Sequence, residues 1–236
     1  MIETAARTIP AAPPPVTVTW LVYAMAALLL GLHLAFTLSP FDQQDQLTWN
    51  FALMPGRFWA PAGSPNVYPD YFSGLLTLLS SGLLHGDWMH VIVNAAMLVW
   101  FGAPVARALG PGAAAWGYWM LLFAGSIIAG CVFYLTVTDD AAPYLIGASG
   151  GTSGLIAAAL LLGDNGGKRA LWSMGFLVPT AIFAVMNVLL VWAAPYAIGM
   201  AVSWEAHAGG YLFGALLMAV LPLRGYGWAR PGPARS

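Results

Sequence analysis

The chain has 236 residues, of which 60% are hydrophobic and 7% charged, and its formal net charge is −1. A soluble domain carries about 25% charged residues, so this composition describes a polytopic membrane protein built as one domain, with no basic patch for nucleic acid. A single cysteine, Cys131, excludes a disulfide framework and a cysteine zinc cluster.

Residues 1–16 are polar to Pro-rich (Pro10, Pro13, Pro14, Pro15) and read as a flexible cytoplasmic tail, not a signal peptide. A helix that crosses a bilayer needs roughly 17 to 25 apolar residues. The first such run is 20–38. A long mixed loop, 39–71, carries Asp42, Asp45, Arg57 and Asp70. The run 72–84 is too short to span and reads as interfacial or re-entrant, so the first loop extends over about 39–87. Further spans fall at 88–106, 113–137, 149–163 (a short one), 170–193 and 205–223, before a second tail at 224–236. The expected fold is therefore an all-α integral membrane bundle of six transmembrane helices over 17–223. No internal repeat supports an inverted-repeat transporter.

Alternating six spans sorts the charges. Arg7, Arg107, Lys168, Arg169, Arg224, Arg230 and Arg235 fall on one side and only Arg57 on the other. Positive charge marks the cytoplasm, which places both termini there. Most acids (Asp42, Asp45, Asp70, Asp87, Asp139, Asp140, Glu205) then lie outside.

Polar residues inside a membrane are costly and mark function by default. Three clusters stand out: His85, Asp87, His90 and Asn94; the stretch from Gly147 to Gly154 around Ser149; and His207 with Gly209, Gly210 and Gly214. Counting about 1.5 Å per residue from the cytoplasmic ends puts Ser149, His207, His90 and Asn94 in one layer near the outer surface. The shortness of the fourth span sinks its leader, 144–148, below that surface as non-helical backbone. Such backbone is tolerated only within protein or beside water, so the sequence implies a wet cavity with Ser149 at its floor.

A serine needs a base to take its proton, and His207 stands at the same depth. The oxyanion formed by attack needs donors. His90 and Asn94, four apart, share a helical face, and the backbone N–H of Ser149 opens a helix. This inventory fits acyl transfer. Rival chemistries lack parts: Lys168 lies on the opposite side, no span holds two aspartates, and no H-E-x-x-H exists. The G-x-S-x-G pattern at 147–151 is no nucleophile elbow, because no strand precedes it. Each piece also has a plainer reading. Gly147 with Gly151, and Gly150 with Gly154, have the spacing of helix-packing glycines. Asn94 alone reads as interhelical glue. His33, Asn187 and Ser153 read as packing groups, Cys131 as inert, and Glu205 as an outer-surface charge rather than a triad acid.

Taken in order, His85-Gly-Asp-Trp-Met-His90-Val-Ile-Val-Asn94, Gly147-Ala148-Ser149-Gly150, and Ala206-His207-Ala208-Gly209-Gly210 with Gly214 resemble the rhomboid intramembrane serine proteases. The resemblance runs from 20 to 223. It implies a Ser149–His207 dyad without a third acid, an oxyanion hole assisted by His90 and Asn94, and a structural role for His85 in the first loop. It implies that Gly147 and Gly150 flank the nucleophile, and that Gly210 and Gly214 let the sixth span close on the fourth. Two departures stand out: Ser153 occupies a position that is aromatic in many members, and the family's tryptophan–arginine pair is not obvious in the first loop, Arg57 with Phe58 and Trp59 being the nearest composition and left unaligned. The implied substrates are transmembrane proteins, reached laterally past the fifth span and the loop at 194–204. The implied location is a bacterial inner membrane with the site facing outward. No metal, soluble cofactor or nucleic acid is expected. A catalytically silent rhomboid-fold protein that binds membrane clients is the alternative, and a small transporter or channel a more distant one.

Overall fold

A computed structural model describes residues 19–163, 167–197 and 202–224. The expected tail at 1–16, and all but Arg224 of that at 224–236, lie outside them. Among the described residues the chain is all helical, apart from two isolated antiparallel bridges, Leu53 with Leu145 and Leu162 with Lys168.

Helix α1 (Thr19–Leu38) is a span of continuous apolar sequence. The segment expected as an irregular loop contains two helices, α2 (Phe41–Phe51) and α3 (Pro55–Phe58). Helix α2 starts just after Pro40, and α3 has Pro55 at its first position, where the missing N–H costs no bond. Arg57, within α3, takes the place of a small core for this segment. Its guanidinium sits 4.0 Å from the Trp49 ring centroid and 4.1 Å from that of Tyr68. It also donates to Trp49 O, and from Nε to Asn66 O (3.1 Å). The apolar run expected at the interface forms α4 (Tyr71–Ser80) and a 3-10 turn (Ser81–Leu83). Asp70 caps α4: its Oδ1 accepts from Ser73 N (2.7 Å), and that bond holds the carboxyl below its ordinary range. Tyr71 and Phe72 are almost wholly exposed, as an interfacial helix start requires.

Four long helices follow the expected order with a short one among them. Helix α5 (Trp88–Leu109) is capped by Asp87, whose Oδ1 accepts from His90 N (2.9 Å). It is followed by α6 (Ala113–Val137), α7 (Ser149–Leu160), α8 (Met174–Ala197) and α9 (Trp204–Val220). Helices α1, α5, α6 and α8 are each long and apolar enough to cross a bilayer unaided. Helix α7 has 12 residues and reaches about 18 Å, less than the hydrocarbon thickness. It forms the centre of the bundle. Its residues from Gly150 to Leu155 are buried, against α5, α6 and α9. Helix α8 stands at the edge and shows Ile182, Val185, Val188, Leu189 and Trp192 to the surroundings. Apolar exposure on that scale, continued by Trp20, Tyr23 and Leu34 of α1, is a lipid-facing surface.

The C-terminal ends of the two inner helices are capped by the basic pair. Lys168 Nζ donates to Met218 O, Ala219 O and Leu221 O at the end of α9, and Arg169 Nη1 to Leu160 O and Leu162 O at the end of α7. A cation there meets the orphan carbonyls and the negative end of the helix dipole together.

Candidate active site

Ser149 is the first residue of α7, so its N–H is one of the donors that a helix start leaves without an intrahelical partner. The leader in front of it, 144–148, is non-helical, as its length demanded. Its backbone is satisfied by the first loop. Leu145 exchanges two backbone bonds with Leu53 (2.8 and 3.2 Å), Gly147 N donates to Ser81 O (2.9 Å), and Ala148 N donates to His85 Nε2 (3.4 Å). His85, 2% exposed, thus fixes the residue next to Ser149. Ser149 itself remains half-buried, with room for another group to reach it.

Gly147 has φ +113°, a conformation that side-chain-bearing residues rarely adopt, and a Cβ there would lie 2.5 Å from His90 Nε2. The His90 imidazole therefore backs directly onto the leader. One turn on, Asn94 is 3% exposed. Its Nδ2 donates to His90 O (3.1 Å), and its Oδ1 lies 3.5 Å from the Thr152 hydroxyl, whose single hydrogen has a nearer acceptor in Ser149 O (3.1 Å). The amide is thus anchored at Nδ2 and retains one N–H for another acceptor.

Helix α9 reaches this layer because two glycines remove the side chains between it and α7. A Cβ at Gly210 would collide with Gly150 O, and one at Gly214 with Gly154 O. At the top of the seam, the Cβ position of Gly150 lies 3.4 Å from Ala206 O. The residue after the serine thus touches the residue before His207. Among the described residues no hydrogen bond joins Ser149 Oγ to His207.

Residues 73–224, more than half of the chain, match the family model described as Rhomboid domain. The chain belongs to the rhomboid family. No curated protein matches it. The match and the apolar helices make this rhomboid an integral membrane protein.

One reading from the sequence needs correction. Asn187 is not a packing group without a partner: its Oδ1 lies 2.5 Å from His207 Nδ1. The only sequence signal was an amide inside an apolar span, which names no partner by itself. Glu205 is bonded to the Ser203 hydroxyl (2.9 Å), the residue that caps α9. Ser153 is buried in the middle of the bundle, and the Cys131 thiol rests 3.5 Å from Ser81 Oγ. His33 packs edge-on against Trp88, ring centroids 4.8 Å apart. A cavity of about 340 Å³ lies in the first loop, bounded by Arg57, Phe58, Tyr68, Asp70 and Tyr71. Its described walls hold no serine, cysteine or histidine, so it carries no serine–histidine or cysteine–histidine pair.

Proposed function

We propose that this rhomboid is an intramembrane serine endopeptidase that hydrolyses peptide bonds in or near the transmembrane segments of other proteins. The reading is supported by one juxtaposition: Gly150, next to the half-buried Ser149 that opens α7, packs against Ala206, next to His207 on α9, and the His90 ring backs onto Gly147 in the leader, with Asn94 bonded to His90 O. Ser149 Oγ attacks the scissile carbonyl carbon while His207 accepts its proton. The carbonyl oxygen becomes an oxyanion, and the free N–H of Asn94, the His90 ring N–H and the Ser149 backbone N–H are its donors. Collapse breaks the C–N bond, and His207 returns the proton to the leaving amine. Water, deprotonated by His207, then attacks the acyl ester and releases Ser149. That water comes from the extracytoplasmic side, where Ser149 is only half-buried. Substrates enter between helices past α8, whose loop at 198–201 lies outside the described residues. The site faces the extracytoplasmic side of a bacterial inner membrane, with six spans and both termini in the cytoplasm.

The missing Ser149–His207 hydrogen bond favours the second reading, a silent member that binds membrane clients. Such bonds are often long before substrate binds, so the two readings part on reactivity. Purified full-length protein is treated with a fluorophosphonate probe and, separately, a transmembrane reporter. Wild type is expected to be labelled and to cleave, and Ser149→Ala to do neither. Labelling or cleavage that persists in Ser149→Ala overturns the assignment. A wild type that does neither, yet co-purifies with the reporter, establishes the silent reading.

A further inference from the structure

Asn187 sits on the lipid-facing helix α8, yet its own side chain is 8% exposed. A buried amide is tolerable when its polar atoms are bonded. Asn187 Nδ2 donates to Phe183 O (2.9 Å) and Oδ1 meets His207 Nδ1 (2.5 Å). Turning the amide over would set its oxygen against Phe183 O, acceptor on acceptor, so the bonded partners decide which end faces the histidine. A carbonyl oxygen only accepts. The shared hydrogen therefore belongs to His207 Nδ1, and a neutral ring with Nδ1–H carries its lone pair on Nε2. A serine proton can be taken only by a nitrogen with a lone pair.

We propose that Asn187 is a positioning residue for His207, fixing the ring's rotation and its Nδ1–H tautomer so that Nε2 is the basic nitrogen. The inference rests on the Ser149–His207 reading above and extends the dyad to a Ser149–His207–Asn187 relay whose third member is neutral and comes from α8. A second link between α8 and α9 offers a control. The Thr180 hydroxyl donates to Phe176 O (2.8 Å), so it accepts from Tyr211 Oη (2.6 Å), and the Phe183 and Tyr211 rings stack at 4.5 Å. That link seats α8 without touching His207.

The test compares wild type, Asn187→Leu, Asn187→Asp and Thr180→Val as full-length protein in lipid nanodiscs. Reporter cleavage gives kcat and KM, and 15N spectra of the labelled histidines (four in the chain) give the His207 tautomer. Asn187→Leu is expected to lower kcat about tenfold or more, the worth of one well-made hydrogen bond, with KM unchanged. Its His207 signal shifts toward the Nε2–H form. Asn187→Asp, which keeps an acceptor at that place, retains the wild-type tautomer and recovers most of kcat. Thr180→Val changes neither. The proposal is overturned if Asn187→Leu keeps both kcat and the Nδ1–H signal, or if Thr180→Val costs as much as Asn187→Leu. A wild type that takes no fluorophosphonate would remove the protease reading, while the nitrogen spectra would still report whether Asn187 sets the tautomer.

Discussion

Gly147 carries two constraints at one atom. Its φ of +113° excludes a Cβ on conformational grounds, and the His90 ring excludes it on steric ones. The first costs roughly 1–2 kcal/mol for an ordinary residue, and the second adds an overpacking cost of about 1–3 kcal/mol. Gly63, with φ +84° in open space, carries the first alone. Gly147→Ala is therefore expected to lower the melting midpoint in detergent clearly more than Gly63→Ala, and to abolish fluorophosphonate labelling while Gly63→Ala retains it. Labelling by both variants would mean that His90 is not held against the leader. Single residues were legible to different depths in the sequence. Ser149 and His207 stood out as candidates through neighbouring glycines and through position. Asn187 did not, because which face of α8 turns toward α9 depends on helix rotation, and α8 is apolar on every side.

Between elements, the seam of α7 and α9 is backbone against backbone, so it cannot yield as a flexible side chain would. Gly210→Ala must push the helices apart, carrying His207 away from Ser149. The expected cost is about 1–3 kcal/mol of stability, read as a lowered unfolding midpoint, together with loss of reporter cleavage. Gly31→Ala, in α1 with nothing near its Cβ position, is expected to gain up to about 1 kcal/mol from helix propensity. If Gly210→Ala is as harmless as Gly31→Ala, the seam is looser than its glycines indicate. The long helices and the short α7 were legible because apolar length and glycine spacing are local signals. The first loop was not. Arg57 is held by Trp49 and Tyr68, eight residues before it and eleven after, with no period to betray the sandwich. Arg57→Lys loses the planar stacking, about 0.5–2 kcal/mol per ring. Limited proteolysis should then cut within 39–70 at protease levels that leave wild type intact.

For the whole molecule, the open quantity is how many helices cross the bilayer, because α7 and α9 fall short of the length that α1, α5, α6 and α8 reach. Length alone would leave α7 inside as a plug. Its ends argue otherwise. At one end the leader is held by the first loop, and at the other Arg169 binds the last carbonyls beside Lys168. On the six-span reading proposed above, a buried helix with a basic, carbonyl-capped end and a loop-held start would join two surfaces, the shortfall being absorbed by non-helical backbone sheltered in protein. Parity makes this decidable. If α7 crosses, the turn before it and the turn after it lie on opposite sides. Cys131 is buried and is replaced by alanine to leave a cysteine-free chain. Single cysteines then go to exposed positions in that background: Ala62→Cys, Ala141→Cys, Pro111→Cys and Trp172→Cys. A membrane-impermeant maleimide on intact cells should label Ala62→Cys and Ala141→Cys at once, and Pro111→Cys and Trp172→Cys only after permeabilisation. Labelling of Ala141→Cys and Trp172→Cys from the same side would make α7 a plug and change the parity on which the charge sorting rests. Inversion of all four would keep the spans but turn the serine toward the cytoplasm, against an arginine and lysine distribution that opposes it.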